Sequence, residues 1–102
     1  MKAKYKDKLV EIIKLDSGTS FVDYIQKYKR KSVSLFVVDY IFALSQERTI
    51  VRYVDKNVDK VKYALEYAGD DNTVYAIICD TKIDFEDLIK WFESEVDIYD
   101  SF

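Results

Sequence analysis

Three aspartates in this chain follow predicted strands, a placement from which carboxylates can cooperate in chemistry. Asp16 comes after the segment 9–15, Asp55 after 49–54 and Asp80 after 74–79. In an open parallel sheet the carboxyl ends of the strands share one edge, where ligands bind. Aspartates that converge there would hold Mg²⁺ or Mn²⁺ for phosphoryl transfer or nuclease chemistry. Because Asp is also a preferred helix-cap and turn residue, local structure accounts for all three without a metal.

Other kinds of catalytic site lack a required residue. The chain of 102 residues has no histidine and no proline, two glycines and one cysteine, Cys79. Ser-His-Asp and Cys-His nucleophiles, imidazole metal sites and glycine-rich phosphate loops are therefore excluded. Cys79 lies in an apolar segment with no histidine to activate it, which predicts a small core residue. We expect no enzymatic activity and no cofactor.

The segment from Leu15 to Ser20 resembles the active-site signature of the aspartic proteases, an apolar residue followed by Asp-Ser/Thr-Gly-Ser/Thr. The resemblance implies that Asp16 is a catalytic aspartate paired with its counterpart in a second copy. The glycine-rich flap and the apolar-apolar-Gly stretch of that family are absent from this sequence. A strand end, a turn and a helix cap explain the same six residues.

Cations and tyrosines alternate in the amino-terminal third of the chain. Residues 1–31 carry nine Lys or Arg against four acids, a charge of +5, whereas residues 32–102 carry seven against fifteen, a charge of −8. Cations interleaved with aromatics are typical of nucleic-acid surfaces, although lysines also suit the end of a helix. Nucleic acid bound by this basic face is therefore the alternative partner. The residues that would contact it are Lys27, Lys29, Arg30 and Lys31.

The aromatic residues exceed what the predicted helices can bury on one face each. Tyr and Trp are enriched at the energetic centres of protein interfaces. We therefore predict a small non-enzymatic binding protein that acts through protein–protein contact and forms a homodimer. The predicted interface residues are Trp91, Ile98, Tyr99 and Phe102.

Hydrophobic periodicity predicts a single domain over residues 1–102 with the element order β-α-α-β-α-β-α. The predicted strands are 9–15, 49–54 and 74–79, and the helices begin near residues 20, 34, 55 and 84. We expect the α/β class, with about three mostly parallel strands, a central 74–79 strand and four helices. An α+β fold is the alternative, because residues 9–15 and 33–38 fit either a strand or a helix.

The predicted location is intracellular. Four lysines precede an apolar stretch that Glu11 and Lys14 interrupt, unlike a signal peptide. The longest apolar run, residues 35–44, is interrupted by Asp39 and is about half of the ~20 residues that span a bilayer. We expect a soluble cytoplasmic protein with no membrane partner. Few amides and many Lys and Glu are typical of thermophile proteins and of small phage and viral proteins, for which the location is the host cytoplasm.

Overall fold

The computed structural model describes residues 2–16, 18–68, 73–80 and 84–100, with side chains described to residue 94 in the last of these segments. They form one six-stranded sheet with a helix on each face. The strands are β1 Lys2–Tyr5, β2 Lys8–Leu15, β3 Val33–Ala43, β4 Gln46–Asp55, β5 Lys60–Ala68 and β6 Val74–Cys79. The helices are α1 Phe21–Tyr28 and α2 Phe85–Asp100.

Every pair of neighbouring strands in the sheet is antiparallel, in the order β1-β2-β6-β5-β4-β3. The run from β3 to β6 is a meander, and β6 then pairs with β2. This leaves β1 and β3 as the two edges. The expectation of about three mostly parallel strands with four helices is therefore wrong: the described residues hold six antiparallel strands and two helices.

Elements with strong local signals are where the sequence predicts them. The run 74–79 is the strand β6, and its apolar side chains alternate between the two faces of the sheet. Ser20 caps α1, because its Oγ accepts a hydrogen bond from the Asp23 N–H at 3.1 Å. Asp84 caps α2 by accepting from the backbone N–H groups of Glu86 and Asp87 at 3.1 and 3.2 Å.

Two segments predicted as helices are strands. Residues 34–48, predicted as a buried helix, belong to β3 and β4, and the segment from residue 58 to 68 is mostly β5. In β5, Val61, Leu65 and Ala68 recur at helical spacing, but Tyr63 and Tyr67 complete an equally good alternating pattern with Val61 and Leu65. Pairing with β4 and β6 decides between the two periods.

The core has two layers, one on each side of the sheet. On one face Leu88, Ile89 and Phe92 of α2 are fully buried against alternate residues of β6 and β5. On the other face Phe21 and Ile25 of α1 are buried against the residues of β5 and β6 that point the opposite way, such as Ala64 and Ala76. Each such side chain contributes about 1.5–3 kcal/mol by leaving water. The sheet thus contributes one of its faces to each core layer.

The two tightest hairpin turns contain no glycine. Lys6 and Asp7 join β1 to β2 with φ of 47° and 65°, and Leu44 and Ser45 join β3 to β4 with φ of 51° and 63°. Two consecutive left-handed residues define a type I′ turn, for which Asn-Gly is the usual signal. Because the turn Leu44-Ser45 lacks that signal, the sequence does not predict the β3–β4 hairpin.

Ser45→Gly is expected to raise the free energy of unfolding by about 0.5–1 kcal/mol, because glycine adopts the left-handed conformation without the Cβ penalty. Urea denaturation monitored by tryptophan fluorescence measures the change. Ser34→Gly, the same replacement inside β3, is the matched control and should destabilise. Destabilisation of similar size at both positions would contradict the left-handed geometry of the turn.

Candidate functional site

The two edges of the sheet differ in how well they are protected against another strand. The edge strand β1 has four residues, two of them lysines, with Lys6 directly after it. The other edge, β3, has eleven residues, no lysine, no proline and a single charge, Asp39. Short length, lysines, prolines, other charges and β-bulges are the devices by which proteins block edge pairing. Of these, β3 has the bulge at Phe36 and the charge of Asp39, so it is the less protected of the two edges.

Apolar side chains are exposed along β3 to an unusual degree. Within the described part of the chain, nine large apolar residues are exposed, and five of them belong to β3. Tyr40 is 66% exposed and Phe42 is 77% exposed. The others on this strand are Leu35, Phe36 and Val38. Val38, Tyr40 and Phe42 are alternate residues on one face of the sheet, and contiguous apolar surface marks interaction sites, since monomers seldom keep it in water.

The short helix α1 explains why this surface is open. It buries Phe21 and Ile25 in a cluster that does not include Tyr40 or Phe42. The Phe21 N–H donates a hydrogen bond to Glu66 Oε1 at 2.8 Å, which ties the start of α1 to β5. On the same face, Tyr40 lies opposite Thr49 and Phe42 lies opposite Glu47, beyond the part of the sheet that α1 covers.

The peptide groups of the same residues face outward. The two-residue turn makes Ala43 and Gln46 a hydrogen-bonded pair, and such pairs alternate along an antiparallel ladder. Counted back from the turn, Val38, Tyr40 and Phe42 do not bond to β4, so their N–H and C=O groups point away from the sheet. Within the described part of the chain, these three residues therefore present apolar side chains together with main-chain groups that have no strand partner.

A β-bulge limits the regular part of this edge. The register with β4 shifts between Leu35 and Val37, where Phe36 is the extra residue. The Phe36 ring lies 5.7 Å from the Arg52 guanidinium, beside an open depression of about 440 Å³. The straight part of β3 is consequently the segment from Val37 to Ala43.

The three aspartates of the metal hypothesis are not brought together. Asp55 and Asp80 each lie 3.7 Å from the Lys62 Nζ, so a protein cation occupies the space between them. Asp16 follows β2, whose antiparallel pairing with β6 places it at the opposite end of the sheet, roughly 20 Å from Asp80. Convergence required parallel strands. No group of three or more His, Cys, Asp or Glu in the described segments could hold a metal ion.

The basic residues predicted to contact nucleic acid lie at the end of α1 and just after it. Lys27, Lys29, Arg30 and Lys31 are all exposed, and the Lys27 Nζ lies 5.1 Å from the Tyr28 ring centroid. The cluster is therefore accessible to an anionic partner.

Carboxylates separate this cluster from the amino-terminal lysines. A shallow depression lined by Lys29, Glu11 and Asp55 adjoins another lined by Lys2, Glu11 and Asp80. Lys62 lines both depressions as well, so the surface between the two basic groups carries mixed charge rather than the continuous positive charge that a nucleic-acid backbone would favour.

The predicted interface residues of α2 have a mixed outcome. Trp91 is half-buried, and its ring centroid lies 5.3 Å from that of Tyr5, so it packs partly within the chain. The side chains of Ile98 and Tyr99 and the whole of Phe102 lie outside the described part, and their role stays a prediction. The β3 surface was missed because 34–48 was assigned to a helix. Its density of β-branched and aromatic residues was the available signal.

A small polar cluster secures the opposite edge. Asp87 of α2 accepts a hydrogen bond from the Tyr5 hydroxyl of β1 and pairs with the Lys6 Nζ at 2.6 Å. The hydrogen bonds from Lys6 and Tyr5 hold the pKa of Asp87 below its usual value, whereas burial and the Asp87 carboxylate raise the pKa of Tyr5. The edge strand β1 is thereby attached to α2.

Cys79 is not an activated thiol. It is 4% exposed at the end of β6, and burial, with a smaller contribution from Asp80, raises its pKa to about 11. The thiolate is the nucleophilic form, so this cysteine is protected from reaction at neutral pH.

No protein-family model matches the chain, and neither the curated proteins nor the solved structures include a match to it. Among the described residues, neither helix is long and apolar enough to cross a membrane. The residues themselves must therefore indicate the function.

Asp87→Asn should lower the urea midpoint of unfolding at pH 7. The pKa of Asp87 is lower in the folded than in the unfolded state, so its contribution is present above the unfolded value and is lost as pH falls through the folded value. The difference from wild type should accordingly shrink toward pH 3. Glu86→Gln, which removes the exposed pair with Lys90, is the control and should change little. An Asp87→Asn effect that is equal at pH 7 and pH 3 would contradict the ion pair.

The Cys79 thiol should react with an aromatic disulfide reagent at pH 8 only when the chain unfolds, because the folded protein buries it. Absorbance of the released thiolate, followed with and without denaturant, measures the rate. Rapid reaction of the native protein, comparable with that in denaturant, would show that the thiol is accessible.

Proposed function

We propose that this chain is a non-enzymatic protein-binding module that pairs an extended segment of its partner with β3. The observation that carries the proposal is the coincidence, at Val38, Tyr40 and Phe42, of exposed apolar side chains with outward-facing peptide groups. In strand addition, main-chain hydrogen bonds supply affinity and alternate side chains supply specificity. A single strand edge offers both kinds of contact here.

The side chains of β3 define the chemistry of the segment that it binds. An alternating apolar segment would place its own large side chains beside Tyr40 and Phe42, on the face that α1 leaves open. Asp39 is the only charge on β3 and is exposed, so Lys or Arg is favoured at the facing position. A lone, buried Cys79 is compatible with the reducing intracellular location that the sequence predicts.

Nucleic-acid binding is the second candidate, favoured by the exposure of Lys27, Lys29, Arg30 and Lys31. It ranks lower because Glu11, Asp55 and Asp80 interrupt the basic surface. Anisotropy with labelled DNA at ~50 mM salt separates the candidates, since electrostatic binding is strong there. An absence of binding at that salt concentration would eliminate the second candidate.

Selection of random twelve-residue peptides displayed on phage against the immobilised protein tests strand addition. We expect the selected peptides to alternate apolar and polar residues and to bind by fluorescence anisotropy. Tyr40→Lys should weaken this binding roughly tenfold or more, because it removes a central aromatic contact. Methylation of alternate peptide nitrogens on the binding edge should abolish it, because the main-chain donors are lost.

Val58→Lys is the matched control, since Val58 is 51% exposed but lies in the β4–β5 turn. This variant should bind the selected peptides as wild type does. Peptides without an alternating pattern, or binding that Tyr40→Lys and methylation leave unchanged, would refute strand addition at β3.

A further inference from the structure

The straight part of β3 has the symmetry of a strand that can pair with itself. It runs over seven residues from Val37, after the bulge, to Ala43, before the turn, and Tyr40 is its midpoint. Antiparallel pairing of two identical strands generates a two-fold axis and uses the same surface on both copies. An axis at Tyr40 allows all seven residues of each copy to pair, whereas any other centre shortens the overlap or includes the bulge.

The register centred on Tyr40 also makes favourable side-chain pairs. Tyr40 lies opposite Tyr40 of the second copy, and Val38 lies opposite Phe42 of the second copy. Aromatic pairs and pairs of an aromatic with a β-branched residue are among the stabilising cross-strand combinations. Asp39 then faces Ile41 of the second copy. A shift of the axis by one residue, to Asp39, would place two carboxylates face to face.

The other edge of the sheet disfavours a head-to-tail arrangement. Pairing β3 with β1 of the next copy would leave a β3 free at each step and would build an open chain. The strand β1 is four residues long, carries Lys2 and Lys4, and is attached to α2 through Asp87. Pairing of β3 with β3 therefore closes at two copies.

The exposed area fits a dimer of low affinity. An aromatic side chain buries about 150–250 Å², and Tyr40 and Phe42 expose 66% and 77% of their surface. They offer about 300 Å² in each copy, before Val38 and the strand edge are counted. An added strand covers only the flank of these side chains, so a pair of copies stays below the ~1,000 Å² at which specific interfaces begin, and we expect a weak dimer with a dissociation constant on the order of micromolar or above.

We infer that the segment that β3 binds is β3 of a second copy, which joins two sheets into one sheet of twelve strands with its two-fold axis at Tyr40. This inference rests on the proposed function, strand addition at β3, and it identifies the partner. The dimer is held by apolar contact and main-chain hydrogen bonds, so it persists at high salt.

Cysteine cross-linking tests the register. Tyr40→Cys should form a disulfide-linked dimer on mild oxidation, because facing residues of a hydrogen-bonded pair have Cα atoms ~5.5 Å apart, within disulfide range. Phe42→Cys alone should not, because the two copies of residue 42 would be about 13 Å apart. A mixture of Val38→Cys and Phe42→Cys should cross-link as a heterodimer. Wild type, with its buried Cys79, is the control and should remain uncross-linked.

Sedimentation of the full chain tests the dimer itself. Wild type and Val58→Lys should be dimers at tens of micromolar in low and high salt, whereas Tyr40→Lys should weaken the association roughly a hundredfold. Because Tyr40 is exposed, this variant should remain folded, and its urea midpoint should equal that of wild type at protein concentrations below the dissociation constant, where both are monomers.

The outcomes separate the inference from the function on which it rests. A monomeric wild type that still binds the selected peptides at β3 would overturn the second copy as partner and leave strand addition intact. A monomer that binds no such peptide would overturn both. A dimer that Tyr40→Lys leaves unchanged, or cross-linking of Phe42→Cys to itself in preference to Tyr40→Cys, would overturn the β3 axis.

Discussion

The burial of β6 on both faces is the constraint on which the rest of the molecule depends. Its apolar side chains alternate, with Tyr75 and Ile77 toward α2 and Ala76 and Ile78 toward α1. A strand that is apolar on both sides must be covered twice, and α1 and α2 are the helices of the described residues. Both are therefore held over the middle of the sheet. The edge strands are covered only where these two helices extend beyond the middle of the sheet.

The two edge strands, β1 and β3, differ in how well the helices cover them. The functional proposal rests on this difference. At β1 the cation of Lys6, the hydroxyl of Tyr5 and the carboxylate of Asp87 connect the edge to α2. At β3, Tyr40 and Phe42 lie outside the cluster that α1 covers and stay in contact with water. Exposed apolar side chains are unfavourable in water, and the free peptide groups of an edge strand are a template for another strand. A paired strand satisfies the two needs at once.

The distribution of charge along the sequence differs from its distribution on the folded surface. The sequence has a basic amino-terminal third and an acidic remainder. In the fold, Lys62 lies between Asp55 and Asp80, and Glu11 borders the same depressions. Because antiparallel pairing brings acidic strand ends beside basic ones, the linear charge blocks become a mixed surface. The antiparallel order likewise places Asp16 at the far end of the sheet from Asp55 and Asp80. The three aspartates therefore cannot share a metal ion.

Local chemistry in the sequence determined α1, α2 and β6, because helix caps at Ser20 and Asp84 and a continuous apolar strand are signals within a few residues. The missing histidine likewise settled which catalytic sites are excluded. Tertiary structure alone decided that residues 33–43 and 60–68 are strands and that β3 is an edge. Helical hydrogen bonds join residues four apart, so their signals are local. Strand hydrogen bonds join segments distant in the chain, so only pairing with β4 and β6 could choose between the two equally good periods of β5. Only the position of β3 at the edge of the sheet leaves Tyr40 and Phe42 exposed.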